Sequence, residues 1–414
     1  MPIEKTIISV PGLPDPADAE FDRSYTQCVT VGDWVHLAGQ VAIDEEWETV
    51  SPDFEPQVHQ VYSNIEMALD AAGSSLGNIV HQTAWLTDMR YAEEFLELRA
   101  EILGDDPADR STSSMIGTQG LARDDWLVEV EVTAIKNNGN INKTVVEVPE
   151  LADPATSDGF DRSYVQCVQA GDRVYAAGQV GVDAEFDAVD SSFTSQTKQT
   201  YDNISAALAA GGASIGNMLD QTAWLTDMRN SDEFLDLRGE AMGSDLSTST
   251  LLGCSQLAKP ELSVEVESHA LRDDADVEKE VVSVPGIPDP TTTQQEDQSA
   301  STRSYAQCLK AGDFVYLAGQ IGVDESYNVV SHDLESQTRQ VFENIETCLE
   351  HVGSGLENMY HMRGYLTDME HTEEFLDIRR EIIGDDVTSS TVVGHELAWP
   401  ELLVEVEAKA YIPN

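Results

Sequence analysis

Basic residues are scarce in this sequence. Its 414 residues include 23 Lys and Arg against 76 Asp and Glu, which gives a formal net charge of −53. Proteins that bind the phosphate backbone of nucleic acids do so through clustered Lys and Arg, and their affinity falls steeply as salt rises. We therefore expect no nucleic acid among the partners of this chain.

Cysteine is infrequent as well. The five cysteines include no Cys-x-x-Cys pair, which argues against a disulfide framework. Three of them, Cys28, Cys167 and Cys308, recur at one place in an apolar strand, where a buried thiol is more common than a reactive one. The nine histidines show no metal-ligand spacing, and no phosphate-binding loop is present. We expect neither a metal nor a cofactor.

Long apolar runs are missing too. No stretch of 18 or more apolar residues occurs, so we expect no membrane span. The opening MPIEKTIISVPG lacks the apolar core and cleavage pattern of a signal peptide. These features predict a cytoplasmic protein.

Carboxylates are abundant along the whole chain rather than in one acidic tail. In dilute buffer their mutual repulsion opposes a compact state. At about 1 M salt the Debye length falls to about 3 Å, and most of this repulsion is screened. The composition therefore favours adaptation to molar intracellular salt over an acidic disordered segment.

One block of sequence occurs three times. It reads RSYTQCVTVGDWVHLAGQVAID from Arg23, RSYVQCVQAGDRVYAAGQVGVD from Arg162 and RSYAQCLKAGDFVYLAGQIGVD from Arg303. Each copy is followed in the same order by an LTDM block, an EFL block and a closing VEVE. This repetition predicts three domains, which we place at residues 1–137, 143–271 and 279–414.

Hydrophobic periodicity predicts the same elements in each copy. In the first, a hairpin turns at Gly32, one helix ends near Gly73, and a second helix carries Phe95 and Leu98 on one face. The closing VEVE places valine and glutamate on opposite faces of a strand. The predicted order is β-β-β-α-β-α-β-β, an α+β fold with its helices on one face of the sheet. A polar insertion before Arg303, TTTQQEDQSAST, predicts a surface loop.

Together these blocks resemble the Rid family, the reactive intermediate deaminases that are also known as L-PSP endoribonucleases. The resemblance rests on Tyr-x-Gln before GDxVYLAGQ, on an asparagine inside the first helix, on LTDM and on VEVE. It implies a chorismate-mutase-like fold and homotrimers with ligand clefts between neighbouring subunits. For this chain it implies an intrachain pseudo-trimer of Rid-like domains with three clefts between them, and it leaves higher oligomers open.

The resemblance also implies site residues. Family deaminases hydrolyse an enamine or imine to a keto acid and ammonia. Their water-positioning, catalytic glutamate corresponds to Glu129, Glu265 and Glu405. Their pocket-closing, substrate-binding tyrosine corresponds to Tyr25, Tyr164 and Tyr305. Glycine lets a ligand come close to the backbone, so the predicted substrate-binding residues also include Gly39, Gly178 and Gly319. Taken without the family, the same residues fit a solvated strand face, interface aromatics and tight packing equally well.

The arginine that binds the substrate carboxylate in this family is missing. Counting back eight residues from the leucine that follows it places its position at Ser113, Ser249 and Ser389. Serine does not replace the paired hydrogen bonds of a guanidinium, so we expect little hydrolysis of imines derived from amino acids.

Two other sets of arginines recur at fixed positions and could bind an anion instead. The set that we favour lies two residues before the predicted pocket tyrosine and consists of Arg23, Arg162 and Arg303. The other set lies in the second helix and consists of Arg99, Arg238 and Arg379. For both sets, the alternative is an ordinary ion pair with one of the many surface carboxylates.

The leading hypothesis is a Rid-like protein that binds a small anionic metabolite between its domains. If it is an enzyme, it hydrolyses an imine, an enamine or a related C–N substrate by general acid–base catalysis. The alternative is a non-catalytic ligand-binding, regulatory or scaffold protein of the same fold, because fold does not determine function. The acidic charge and the lack of a recurrent histidine disfavour a ribonuclease.

The charge predicts a strong dependence of stability on salt. We expect the melting temperature to rise substantially between about 0.1 M and about 2 M KCl, because the salt screens carboxylate repulsion. Differential scanning calorimetry across that range measures the effect. A melting temperature that does not change with KCl would contradict the halophilic interpretation.

Overall fold

Each repeat forms one mixed β-sheet with two helices packed against one face. The computed structural model of the chain describes residues 3–16, 23–156, 160–290, 304–384 and 388–413. The predicted surface loop before Arg303, and Arg303 itself, lie outside these ranges. Of the helices within them, none combines the length and the apolar character needed to cross a membrane.

The same elements recur in each repeat. The first repeat contains β1 Lys5–Ile8, β2 Cys28–Val31, β3 Trp34–Leu37, α1 Phe54–Ala71, β4 Ile79–Leu86, α2 Ala92–Leu103, β5 Thr112–Gly117 and β6 Val128–Ile135. The second contains β7 Lys143–Val146, β8 Cys167–Ala170, β9 Arg173–Val180, α3 Phe193–Ala210, β10 Ala213–Leu225, α4 Ser231–Met242, β11 Thr248–Gly253 and β12 Val264–Arg272. The third contains β13 Lys279–Val282, β14 Cys308–Ala311, β15 Phe314–Leu317, β16 Gln320–Ile321, α5 Leu334–His351, β17 Met359–Leu366, α6 Thr372–Ile383, β18 Ser389–Gly394, β19 Glu396–Leu397 and β20 Val404–Tyr411.

The predicted order β-β-β-α-β-α-β-β is confirmed, with two short extra strands, β16 and β19, in the third repeat. In the first sheet the strands lie in the order β1-β2-β3-β6-β4-β5. Only its β4–β5 pair is parallel, and the other two sheets repeat this arrangement. Strand β19 of the third repeat pairs with β11 at the edge of the second repeat's sheet.

Local geometry explains where these elements end. Gly32 has a φ of +60° in the two-residue turn that pairs Val31 with Trp34. Gly73 has a φ of +74° just beyond the end of α1. Glycine adopts this left-handed conformation with little strain. The predicted hairpin turn at Gly32 and the predicted helix end near Gly73 are therefore both confirmed. Strand β4 is longer than the TAWLT segment that marked it in the sequence.

The alternation of the closing strand separates two buried layers. Val128 and Val130 pack against the helices of their own repeat. On the opposite face, one apolar cluster joins all three repeats and includes Trp85, Trp224 and Tyr365. The glutamate face of the sheet is therefore covered by the neighbouring repeats rather than by solvent.

The recurrent cysteines are part of the apolar interior. Cys28, Cys167 and Cys308 are free and fully buried. Burial raises the pKa of each thiol to about 12. A thiol that stays protonated is a poor nucleophile, so the prediction of buried, unreactive side chains is confirmed.

Equivalent backbone hydrogen bonds connect the repeats in a closed cyclic order. The amide of Thr26 donates to the carbonyl of Thr388 at 3.0 Å, which joins the first repeat to the third. Val165 donates to Ser111 at 3.0 Å, which joins the second repeat to the first. Ala306 donates to Ser247 at 2.8 Å, which joins the third repeat to the second. Each repeat therefore contacts both others.

One arginine bridges three buried glutamates where the three sheets meet. Arg363 donates to Glu131 at 2.9 Å and to Glu267 at 2.6 Å, and it lies 3.3 Å from Glu407. These three glutamates occupy equivalent positions in the three repeats. Thr83 also accepts a hydrogen bond from Arg363, at 3.0 Å. It is the first-repeat counterpart of Arg363, as the strand pairing shows.

Two histidines extend this cluster. His81 Nε2 lies 3.0 Å from Glu267, and His361 Nε2 lies 2.9 Å from Glu131. Burial by itself would raise the pKa of Glu131, but Arg363 and His361 hold it well below its usual range. Arg363 and His81 likewise lower the pKa of Glu267, against the effect of burial. These carboxylates are therefore ionised, and their burial depends on the neighbouring cation.

We predict that Arg363→Thr destabilises the protein by about 3–5 kcal/mol, because it leaves buried carboxylates without their cation. Thr is a fair replacement, since it occupies the equivalent positions Thr83 and Thr222. Urea denaturation at constant molar KCl measures the change in unfolding free energy. The control is Arg90→Thr, which breaks an exposed pair with Asp88 and should have no measurable effect. Equal stability of the two variants would contradict a structural role for the buried cluster.

Candidate active sites between the repeats

Three equivalent clefts lie between the repeats, and each takes its walls from two of them. The 1–2 cleft contains Arg99 and Ser113 from the first repeat and Tyr164, Gly178 and Glu265 from the second. The matching residues of the 3–1 cleft are Arg379, Ser390, Tyr25, Gly39 and Glu129. Those of the 2–3 cleft are Arg238, Ser249, Tyr305, Gly319 and Glu405. The structure thus brings the sequence-predicted glutamate, tyrosine and glycine together in every cleft.

The cleft glutamates are buried. Glu129, Glu265 and Glu405 are 4–5% exposed. Burial raises the pKa of each to about 8, and the carboxylate two residues further along the strand adds to the shift. At neutral pH these side chains are therefore mostly protonated and able to donate a proton.

The cleft glycines make room for these glutamates. A Cβ added to Gly39 would lie 1.9 Å from the Oε1 atom of Glu129. The corresponding distances are 2.1 Å from Gly178 to Glu265 and 1.9 Å from Gly319 to Glu405. Any side chain at these positions would displace the carboxyl group. The group that closely approaches the backbone of each cleft glycine is therefore the carboxyl group of the glutamate.

A helix arginine reaches the place where the resembled family has its own arginine. Arg99 Nη1 donates to Ser113 Oγ at 2.6 Å, and Arg238 Nη1 donates to Ser249 Oγ at 2.6 Å. In the third repeat, Arg379 Nη1 donates to Ser390 Oγ at 2.7 Å.

The equivalent serine of the third repeat is thus Ser390, and the sequence alignment to Ser389 was wrong by one residue. Strand pairing places Ser113 beside Gln82 and Ser390 beside Met362, which are equivalent positions on β4 and β17. The third repeat has one residue fewer between this strand and Leu397, so a count of eight residues overshoots.

Two of these arginines also donate hydrogen bonds to the neighbouring repeat. Arg99 Nε donates to Ser163 Oγ at 2.8 Å, and Nη2 donates to the carbonyl of Arg162 at 2.7 Å. Arg379 repeats this pattern with Ser24 Oγ at 3.0 Å and the carbonyl of Arg23 at 2.7 Å. Sequence reasoning missed these serines, although Arg-Ser-Tyr recurs in all three copies.

Arg99 and Arg379 are fully buried, with zero exposure. Neither guanidinium forms an ion pair of 4.0 Å or less among the described residues. Asp161 of the second repeat acts on Arg99 from farther away and raises its pKa, against the effect of burial. Burial lowers the pKa of Arg379 to about 10 and lowers that of Arg99 as well. A surface ion pair is therefore excluded for these two, and a buried cation of this kind favours binding of an anion.

The arginines favoured from sequence lie beside the clefts, against aromatic rings. The Cζ atom of Arg23 lies 4.4 Å from the ring centre of Trp47, and that of Arg162 lies 4.3 Å from that of Phe186. Trp47 and Phe186 have φ values of +65° and +63°, a conformation that bulky residues rarely adopt. Both arginines line their clefts. Arg303, their counterpart in the third repeat's sequence, lies outside the described residues.

The tyrosines are half-buried in the cleft walls. Burial raises the pKa of Tyr25 to about 12 and that of Tyr164 further still. Tyr25 and Tyr164 are therefore neutral phenols at physiological pH. Such side chains can donate a hydrogen bond to a ligand or close the cleft over it.

The sequence profile of the endoribonuclease L-PSP family matches the chain three times, at residues 18–136, 159–272 and 295–412. A RutC family protein of Pyrococcus horikoshii is 35% identical over 108 residues, which are 26% of this chain and 86% of that protein. A RutC family protein of Pyrococcus abyssi is 32% identical over 108 residues, which are 26% of this chain and 85% of that protein.

Among solved structures, a chorismatase superposes on 81% of this chain and 93% of its own, with a TM-score of 0.54. The two sequences are 14% identical, so this similarity shows a common fold. The profile matches, in contrast, account for most of the sequence. The chain therefore belongs to the endoribonuclease L-PSP family, whose domain it carries in three tandem copies.

Proposed function

We propose that this protein binds a small anionic metabolite in the clefts between its repeats and hydrolyses an imine or enamine there. In this proposal the closed ring of repeats is the single-chain counterpart of a homotrimer with intersubunit clefts. The observation that carries it is one pairing: a buried arginine that forms no ion pair among the described residues lines the same cleft as a glutamate whose pKa burial raises to about 8.

The helix arginines would bind the anionic group. A guanidinium carries five N–H donors, and the hydrogen bonds of Arg99 to Ser163, Ser113 and Arg162 engage one donor on each nitrogen. Tyr62 is a further side-chain hydrogen-bond partner of Arg99, which leaves one terminal N–H donor for a carboxylate. The helix arginine would then bind the substrate carboxylate, which Ser113 does not bind as an arginine would. Imines derived from amino acids therefore become acceptable substrates in this proposal. We therefore favour Arg99, Arg238 and Arg379 over the set that includes Arg23 and Arg162.

The cleft glutamate would act as the acid. Its neutral carboxyl would protonate the imine nitrogen, or the β-carbon of an enamine, and so make the carbon electrophilic. The resulting carboxylate would then accept a proton from the attacking water. The carboxyl would next protonate the amino group of this adduct and take the proton of its hydroxyl group as the C–N bond breaks. Ammonia then leaves, a carbonyl product remains and the neutral carboxyl is restored. Proton transfer of this kind typically contributes a factor of about 10²–10⁴ to the rate.

The first test replaces all three cleft glutamates by glutamine, in the variant Glu129→Gln/Glu265→Gln/Glu405→Gln. Glutamine resembles a protonated glutamate, so we expect an unchanged melting temperature. Hydrolysis of imines freshly generated by an amino-acid oxidase should fall by about 10²-fold or more. The matched control is Glu93→Gln, which changes a carboxylate near the rim of the 1–2 cleft on α2.

A binding measurement distinguishes a catalytic protein from a non-catalytic ligand-binding protein. In isothermal titration calorimetry, Arg99→Gln/Arg379→Gln should weaken binding of a 2-oxo acid by about ten- to a hundredfold, as expected for loss of a hydrogen bond from a charged group. Arginine-dependent binding without any hydrolysis by the wild type would support the non-catalytic alternative. The absence of both binding and hydrolysis would refute the proposal as a whole.

The pH profile tests the protonation state. The pKa of the cleft glutamate is raised to about 8, so its acidic form is present below that pH and is lost above it. We expect kcat/KM to be level below about pH 7 and to fall as the pH rises through 8. Spontaneous hydrolysis without protein is subtracted at each pH. A rate that instead increases through pH 8 would show that the ionised carboxylate is the active form.

A further inference from the structure

The three clefts differ in free volume although each is lined by an arginine, a serine, a tyrosine and a glutamate at equivalent positions. The 1–2 cleft encloses about 310 Å³, the 2–3 cleft about 80 Å³ and the 3–1 cleft about 50 Å³. The free volume of the 1–2 cleft is therefore about four times that of the 2–3 cleft and about six times that of the 3–1 cleft. The 1–2 cleft has the most room for a substituent beyond a carboxylate group.

One difference on the cleft wall narrows the 3–1 cleft. Trp126 lines it at the position where Leu262 lines the 1–2 cleft. The indole is held in place by a hydrogen bond from its Nε1 to Thr49 Oγ1 at 3.1 Å and by Arg123, whose Cζ lies 5.3 Å from the ring centre. A large, fixed side chain thus occupies space that leucine leaves open.

Aromatic side chains also narrow the 2–3 cleft. Trp399 lines it at the position where Lys259 lines the 1–2 cleft. The Lys259 ammonium instead donates to the carbonyl of Phe186. Tyr305 lies with its ring centre 5.4 Å from Cζ of Arg238, beside the cation that would bind a ligand.

The large 1–2 cleft has a mainly apolar wall around its polar residues. Its apolar side chains include Leu96, Met115, Phe160, Val180 and Phe186. Such a wall favours an apolar substituent, because its burial removes hydrocarbon surface from water. Arg99 and Glu265 remain available for the anionic group and the reacting atoms.

From these differences we infer that the three clefts are specialised, and that the 1–2 cleft alone binds ligand. Its ligand is a small anion, such as a carboxylate, with a branched or aromatic apolar substituent. The other two clefts retain the polar residues but serve the packing between repeats. This inference rests on the proposed function and narrows it to one site per chain.

The stoichiometry of binding tests the inference directly. Isothermal titration calorimetry of the full chain in molar KCl, with 4-methyl-2-oxopentanoate as the probe, should show one site per chain. Three sites of similar affinity would overturn the inference and leave the proposed function intact. No binding, together with no hydrolysis, would refute the proposed function as well.

Two matched variants show which cleft is occupied. Met115→Trp fills the 1–2 cleft, and Val392→Trp makes the equivalent change in the 3–1 cleft. We expect binding to weaken at least tenfold in the first variant and to change less than twofold in the second. Melting temperatures report whether each variant folds. Unaltered binding or hydrolysis by a folded Met115→Trp protein would overturn the inference.

A third variant asks whether side-chain volume is the cause. Trp126→Leu gives the 3–1 cleft the residue that the 1–2 cleft has at this position. We expect a second binding site for the same probe, with a stoichiometry of two per chain. A stoichiometry that stays at one, in a protein of native melting temperature, would show that Trp126 does not close the 3–1 cleft and would overturn this assignment.

Discussion

Ionised carboxylates are buried where the three sheets meet, and the arrangement of the molecule depends on their neutralisation. The VEVE strand of each repeat directs glutamates toward the other repeats. Arg363 contacts one such glutamate from each repeat, so this contact fixes the three sheets relative to one another. Every cleft takes its glutamate from one repeat and its helix arginine from another. The geometry of the candidate sites therefore depends on the closure of the ring.

A tandem chain permits such a cluster more readily than a homotrimer does. In three identical subunits, an arginine at this position would appear three times around the axis, and the guanidinium groups would repel one another in a confined space. Here the equivalent positions hold threonine in the first two repeats and arginine in the third. Fusion into one chain allows each repeat to contribute a different residue to a shared contact.

Much of the fold could be predicted because its signals are local. Periodicity and glycine turns marked the strands and helices, and repetition gave the number of repeats. The glutamate face of the closing strand was harder, because alternation shows that a strand has two faces but not what covers them. Likewise, Arg99 lies four residues after the buried Phe95, yet its charge suggested a surface ion pair. Its partner Ser163 is 64 residues away in the next repeat, and no local pattern reveals that contact.

The contact between each cleft glycine and its glutamate has a consequence for how such sequences are interpreted. A larger residue at Gly39 would strike Glu129, and a smaller residue at Glu129 would leave a void beside Gly39. Each member of the pair therefore constrains the other even where no ligand fits. A motif search would therefore score all three repeats alike, whatever the free volume of their clefts. Free volume, which no motif records, is a property in which the three clefts differ.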